Sequence, residues 1–133
     1  MSEQKGKVVV ADDNESIREM LSMLLEMDGY EVHTAENGAV AIKKFDSVGN
    51  IDLVVSDMNM PELNGLELIS EVRKRDAHVP IVILTGEDDS YLVSEAISRG
   101  AEDYIKKNEN IHEIFLPTIS KILDQYRSKK EKT

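Results

Sequence analysis

Five short apolar runs recur along this 133-residue chain, and after each one the apolar residues change to helical spacing. That change of period constrains the fold most, because a run of four or five apolar residues suits a parallel strand covered on both faces. The expected strands are Lys7 to Ala11, Tyr30 to Ala35, Ile51 to Ser56, Ile81 to Leu84 and Glu102 to Lys106. Pro80 can open the fourth, since proline is tolerated at a strand's first position. Ile17, Met20, Leu21, Leu24 and Leu25 trace one face of a first helix, which Asn14 can cap and Gly29 can end in a left-handed conformation. Ala41, Ile42 and Phe45 follow an Asn37-Gly38 turn; Leu66, Ile69 and Val72 follow Gly65; Leu92, Val93, Ala96 and Ile97 precede Gly100. The last helix carries Ile111, Ile114, Phe115, Thr118, Ile119, Ile122 and Tyr126. Pro117 cannot donate a helical hydrogen bond, so a short turn before it and the main helix after it are expected.

Strand–helix alternation with short connections implies right-handed crossovers and an α/β fold, a doubly wound five-stranded parallel sheet with helices on both faces. The length suits a single domain, residues 1–133, with a core from about 7 to 126 and a frayed, solvated basic end at 127–133. Sixteen Lys and Arg against 26 Asp and Glu leave a net charge of −10, which argues against direct nucleic-acid binding or attraction to an anionic membrane. No apolar run is long enough for membrane insertion, and the start has no apolar signal core, so a cytoplasmic protein is expected. The absence of cysteine excludes a disulfide framework, a thiolate metal site and a cysteine nucleophile. His33, His78 and His112 are dispersed and read as structural or surface residues. Neither phosphate-binding glycine motif, G-x-x-x-x-G-K-[ST] or G-x-G-x-x-G, occurs.

Polar residues with chemical potential gather at strand ends. Asp12 and Asp13 follow the first strand, Asp57 the third, Thr85 the fourth and Lys107 the fifth. Singly, each has an ordinary explanation: a helix cap for the aspartate pair or Thr85, a turn for Asp57, a surface charge for Lys107. Four strand ends carrying such residues together favour a joint site, because ligands of open α/β sheets bind outside the carboxyl ends of the strands. Convergence requires the first and third strands to be neighbours, as in the order 2-1-3-4-5. Three carboxylates in one cleft demand either protonation of one or a cation among them. Oxygen-only ligands completed by water suit Mg²⁺. A carboxylate can also attack phosphorus, with metal, Lys107 and Thr85 offsetting or binding the phosphoryl oxygens.

Four segments resemble the receiver domain of two-component response regulators: Val8 to Asp13, Ser56 to Gly65, Leu84-Thr85-Gly86 and Gly100 to Lys107. The likeness extends from about Lys7 to Tyr126 and implies a flavodoxin-like fold. It implies Asp57 as phosphoacceptor, with Mg²⁺ held by the side chains of Asp13 and Asp57, the Asn59 backbone carbonyl and, through water, Asp12. Thr85 would bind a phosphoryl oxygen and Gly86 would leave its path open. Lys107, three residues after Tyr104, matches the family lysine, and Tyr104 the aromatic switch that turns inward when Thr85 moves. Asn59 and Glu87 resemble the pair that tunes phosphate lifetime, here toward a short-lived phosphate.

One position departs from the family. Asn108 stands where proline usually follows the lysine, so a trans bond or a rearranged loop is expected after Lys107. The resemblance also implies partners: a histidine kinase or phosphotransfer protein as donor, and an output protein that reads the surface of the fourth helix, fifth strand and fifth helix. No catalysis beyond the chain's own phosphorylation and dephosphorylation is expected. With no room for an output domain before Thr133, a stand-alone receiver is the first expectation, and a receiver segment of a larger sensor kinase or regulator the second. A Mg²⁺-dependent phosphatase with an aspartyl intermediate is the alternative of another class, although Asn59 stands where such enzymes usually carry a second aspartate.

Overall fold

A computed structural model describes residues 5–86, 90–108 and 110–131, with side chains described as far as 129. Five strands alternate with five helices: β1 (Lys7–Ala11), α1 (Glu15–Met27), β2 (Glu31–Ala35), α2 (Gly38–Val48), β3 (Leu53–Asp57), α3 (Gly65–Arg75), β4 (Ile81–Thr85), α4 (Ser90–Arg99), β5 (Asp103–Lys106) and α5 (Ile111–Glu131). All pairings are parallel and the order is β2-β1-β3-β4-β5, the expected flavodoxin-like arrangement. Among the described residues, no helix is long and apolar enough to cross a membrane.

Strand alternation sorts the core into two layers. Val9, Ala11, Val54, Ile81 and Ile83 face α2, α3 and α4, where Ala41, Leu68, Ile69, Val72 and Ala96 cover them. Val8, Val10, Leu53, Val55, Val82, Leu84 and Ile105 face Leu21 and Leu25 of α1 and Phe115, Ile119, Ile122 and Leu123 of α5. The central strands are therefore buried on both faces, which is why they read as unbroken apolar runs.

Local signals set the helix ends. The side chains of Asn14, Asn37 and Asn64 accept from Ile17, Val40 and Glu67 backbone N–H groups, and Asn64 with Glu67 completes a capping box. Gly29, at φ +99°, follows α1 in the expected left-handed region. Strand limits differ from the sequence reading by one or two residues. The differences that matter are at β3 and β4, which each extend one residue further, so that Asp57 and Thr85 close their strands instead of following them.

Two expectations for α5 need correction. The helix passes through Pro117 without a break. Ile111 and Phe115 are buried on one side of the proline and Ile119, Ile122 and Leu123 on the other, so packing on both sides holds the helix together. Thr118 Oγ1 donates to the Ile114 carbonyl at 2.8 Å, occupying an acceptor beside the missing donor. Replacing Pro117 with Ala restores an N–H to the helix interior and should raise stability by about 1–3 kcal/mol in urea unfolding. The second correction concerns the basic end. It is helical to Glu131, and Arg127 Nη2 donates to the Lys5 carbonyl, tying α5 to the residues before β1.

Candidate functional site

β1 and β3 are direct neighbours, so the residues that follow β1 meet the last residue of β3 at the carboxyl edge of the sheet. Asp12 is fully buried there. Its Oδ1 accepts the Asn14 N–H at 2.8 Å, its own N–H donates to the Ala35 carbonyl at 3.0 Å, and its carbonyl accepts Arg18 Nη1 at 2.7 Å. Asp57 is 7% exposed; its Oδ1 accepts the Met58 N–H at 2.8 Å. Asp13 is exposed beside them. One carboxylate oxygen from each of Asp12, Asp13 and Asp57 lies within 4.8 Å of the others.

Lys107 enters this cleft from the far side of the sheet. Its backbone N–H donates to the Thr85 carbonyl at 2.7 Å, and its Nζ lies 2.7 Å from Asp12 Oδ2 and 3.2 Å from Asp57 Oδ1. The Lys107–Asn108 bond is trans, as expected from the missing proline, and the ammonium nonetheless reaches both carboxylates. Apart from this charge contact, the buried Asp12 Oδ2 has no hydrogen-bond partner. A buried anionic oxygen with spare lone pairs, beside two further carboxylates and no nitrogen or sulfur donor, fits a small hard cation.

The remaining candidates sit around the cleft. Thr85 ends β4 and is buried. A Cβ on Gly86 would meet nothing within 4 Å, so the space beside Thr85 is open. Asn59 is exposed two residues beyond Asp57. Tyr104 lies on the edge strand β5, opposite Ile83 and 40% exposed, on the sheet face that also carries Thr85. Glu87 lies outside the described residues. The loop after Asp57 is held by a close approach at Gly65, where a Cβ would stand 2.7 Å from the Asp57 carbonyl oxygen and 2.9 Å from Met58 Cα. Sequence reasoning missed Arg18, whose bond to the Asp12 carbonyl braces the acidic loop. Its only signal is its place in the first turns of a helix that starts just beyond two aspartates.

Comparison with known proteins decides the family. The sequence profile of the response regulator receiver domain matches residues 8–116. The chain belongs to this family. A receiver domain protein from Clostridium thermocellum superposes with a TM-score of 0.81 at 31% identity, covering 95% of this chain and 97% of that one. The alkaline phosphatase synthesis transcriptional regulatory protein PhoP of Bacillus subtilis is 38% identical over 101 residues, 76% of this chain and 42% of that protein. The CAI-1 autoinducer sensor kinase/phosphatase CqsS of Vibrio cholerae is 36% identical over 109 residues, 80% of this receiver and 16% of the kinase. The chain thus spans less than half the length of these two curated relatives.

Electrostatics of the receiver site follow from its burial. Desolvation raises the Asp57 carboxyl above the ordinary aspartate range and the Asp12 charge adds to this, against the charge and hydrogen bond of Lys107 and the Met58 N–H. For Lys107, burial works against the ammonium, but contact with Asp12 and the charges of Asp12 and Asp57 outweigh it, so its pKa is raised. An acid whose folded-state pKa is raised binds more protons folded than unfolded, so its contribution to stability falls as pH rises. In chelator, Asp57→Asn should therefore gain stability over wild type as pH climbs from the ordinary carboxyl range through the raised value, and stay ahead near neutrality. Urea midpoints across that range check this; a less stable variant at neutral pH would mean that attraction to Lys107 outweighs desolvation.

Proposed function

We propose that Asp57 accepts a phosphoryl group from a phosphohistidine of a histidine kinase or phosphotransfer protein, and that Asp12, Asp13, Asp57 and the Asn59 backbone carbonyl hold the Mg²⁺ this requires. The observation that carries the reading is the cluster of three carboxylate oxygens within 4.8 Å, joined by the Lys107 ammonium. Bound there, Mg²⁺ offsets the negative charge of the carboxylates and of the incoming phosphoryl oxygens.

Asp57 is the nucleophile because one of its oxygens is anchored by the Met58 N–H and Lys107, which orients the other for attack. The Asp57 oxygen forms a bond to phosphorus as the P–N bond breaks, and the histidine nitrogen keeps the electron pair. Asp12 stays in place, buried and bonded to the Asn14 N–H. Lys107 then contacts one new phosphoryl oxygen and the Thr85 hydroxyl donates to another. Drawing Thr85 toward the phosphoryl group vacates room on its sheet face, and Tyr104 turns inward from its exposed position. The surface formed by α4, β5 and α5 changes, and a partner or an attached domain reads it. Asn59 and Glu87 admit water to the phosphoryl group and keep its lifetime short. The chain performs only its own phosphorylation and dephosphorylation, in the cytoplasm, without contacting nucleic acid itself.

The receiver region, residues 1–133, stands either alone or as a segment of a larger regulator or sensor kinase; the lengths of PhoP and CqsS favour the segment. Incubation with acetyl phosphate and Mg²⁺, then intact mass and peptide mapping, tests the chemistry. One phosphoryl group on Asp57 supports it, and continuous turnover of an external phosphate ester would favour a phosphatase instead.

A further inference from the structure

We infer that Asn108 is a positioning residue that aims the Lys107 ammonium into the acidic cleft, through a backbone turn that only a residue with an N–H can close. Its consequence for phosphoryl transfer rests on the phosphoacceptor reading above.

Lys107 stands one residue past β5, and its N–H is committed to the Thr85 carbonyl at 2.7 Å. Continued extension would carry the chain past the sheet edge. Instead the Asn108 N–H donates back to the Lys106 carbonyl at 3.0 Å, closing a three-residue turn with Lys107 at its apex. Lys107 keeps a negative φ, so this is the inverse form of the γ-turn, which is unstrained and common at strand ends. The apex side chain projects away from the turn, and here its Nζ ends 2.7 Å from Asp12 Oδ2 and 3.2 Å from Asp57 Oδ1.

The rest of Asn108 locks the turn to α5. Its Oδ1 accepts the Asn110 N–H at 2.9 Å, and its carbonyl accepts the N–H of Ile111, the buried first residue of α5, at 3.1 Å. The backbone donor, the backbone acceptor and the side-chain acceptor of one residue are all used, each on a different neighbour. Proline, which usually follows the lysine in proteins that this sequence resembles, offers neither the N–H nor the side-chain acceptor. The residue that departs from the family pattern therefore supplies its own means of directing the ammonium, with a trans peptide.

Reductive methylation of the full chain in chelator, mapped by peptide mass spectrometry, reads the position of Lys107 directly. Lys74, whose side chain is 70% exposed, serves as the internal reference. Lys107 should react more slowly than Lys74 in the wild type. In Asn108→Pro its rate should rise about tenfold, and in Asn108→Ala, which keeps the N–H and loses only the side-chain bond, about threefold. Phosphorylation by acetyl phosphate should slow in Asn108→Pro, but show no further slowing when that change is added to Lys107→Ala. An unchanged Lys107 labelling rate in Asn108→Pro, or an equal slowing with and without Lys107, overturns the assignment. If the proline variant does not fold, the alanine variant decides, an unchanged rate being fatal. A freed Lys107 in a chain whose wild type takes up no phosphoryl group upholds the positioning role and refutes the phosphoacceptor reading instead.

Discussion

Asp57→Asn, treated with acetyl phosphate and Mg²⁺ under conditions that label the wild type fully, is expected to carry no phosphoryl group. The amide is uncharged and its nitrogen lone pair is delocalised, so nothing at position 57 can displace a leaving group from phosphorus. The two neighbouring carboxylates do not substitute for it. Asp12 is fully buried, with one oxygen on the Asn14 N–H and the other against the Lys107 ammonium, and so presents no oxygen to an incoming donor. Asp13 is exposed, but Lys107 is recorded against Asp12 and Asp57, not against it. Intact mass distinguishes the outcomes. Stoichiometric labelling of the variant, mapped to Asp13 or elsewhere, would remove Asp57 from the nucleophile's role while leaving the acidic cluster itself intact.

The largest loss of stability is expected from Phe115→Ala. Phe115 is fully buried against the α1 and α5 face of the sheet, and truncation of a buried phenylalanine costs about 3–5 kcal/mol. The effect should also be uneven. Phe115 and Ile111 are the buried anchors of α5 before Pro117, where the helix ladder lacks a donor. Without the ring, residues 111–116 should lose hydrogen-exchange protection before the part of α5 that carries Ile119, Ile122 and Leu123. Urea unfolding gives the total cost, and exchange read peptide by peptide gives its distribution. A uniform loss of protection along α5 would mean that the segment before Pro117 has no separate weakness.

The architecture was legible because it rests on period and turn chemistry. The β1, β3 and β4 runs are apolar on both faces, as a strand between two helical layers must be, and Asn14, Asn37 and Asn64 cap as asparagine does before a helix. The acidic cluster was legible for a different reason: Asp12, Asp13 and Asp57 mark strand ends that one topology alone brings together. Pro117 misled because helix propensity is local, whereas the packing of Phe115 and Ile119 that overrides it comes from across the sheet. Arg18 was invisible because its partner is a backbone carbonyl, which has no identity in a sequence. The turn at Lys107 could be anticipated only as a departure; its form depends on which carbonyl the Asn108 N–H finds.

The unequal burial of the helices has a mechanical meaning. Four residues of α3 are fully sequestered, Gly65, Leu68, Ile69 and Val72, whereas α4 commits only Ala96. Load introduced at the mouth of the cleft meets a stiff spine through the middle of the molecule and a compliant flank at one margin. Displacement goes to the softer member, so α4 can shift without disturbing the scaffold that keeps the carboxylates in register.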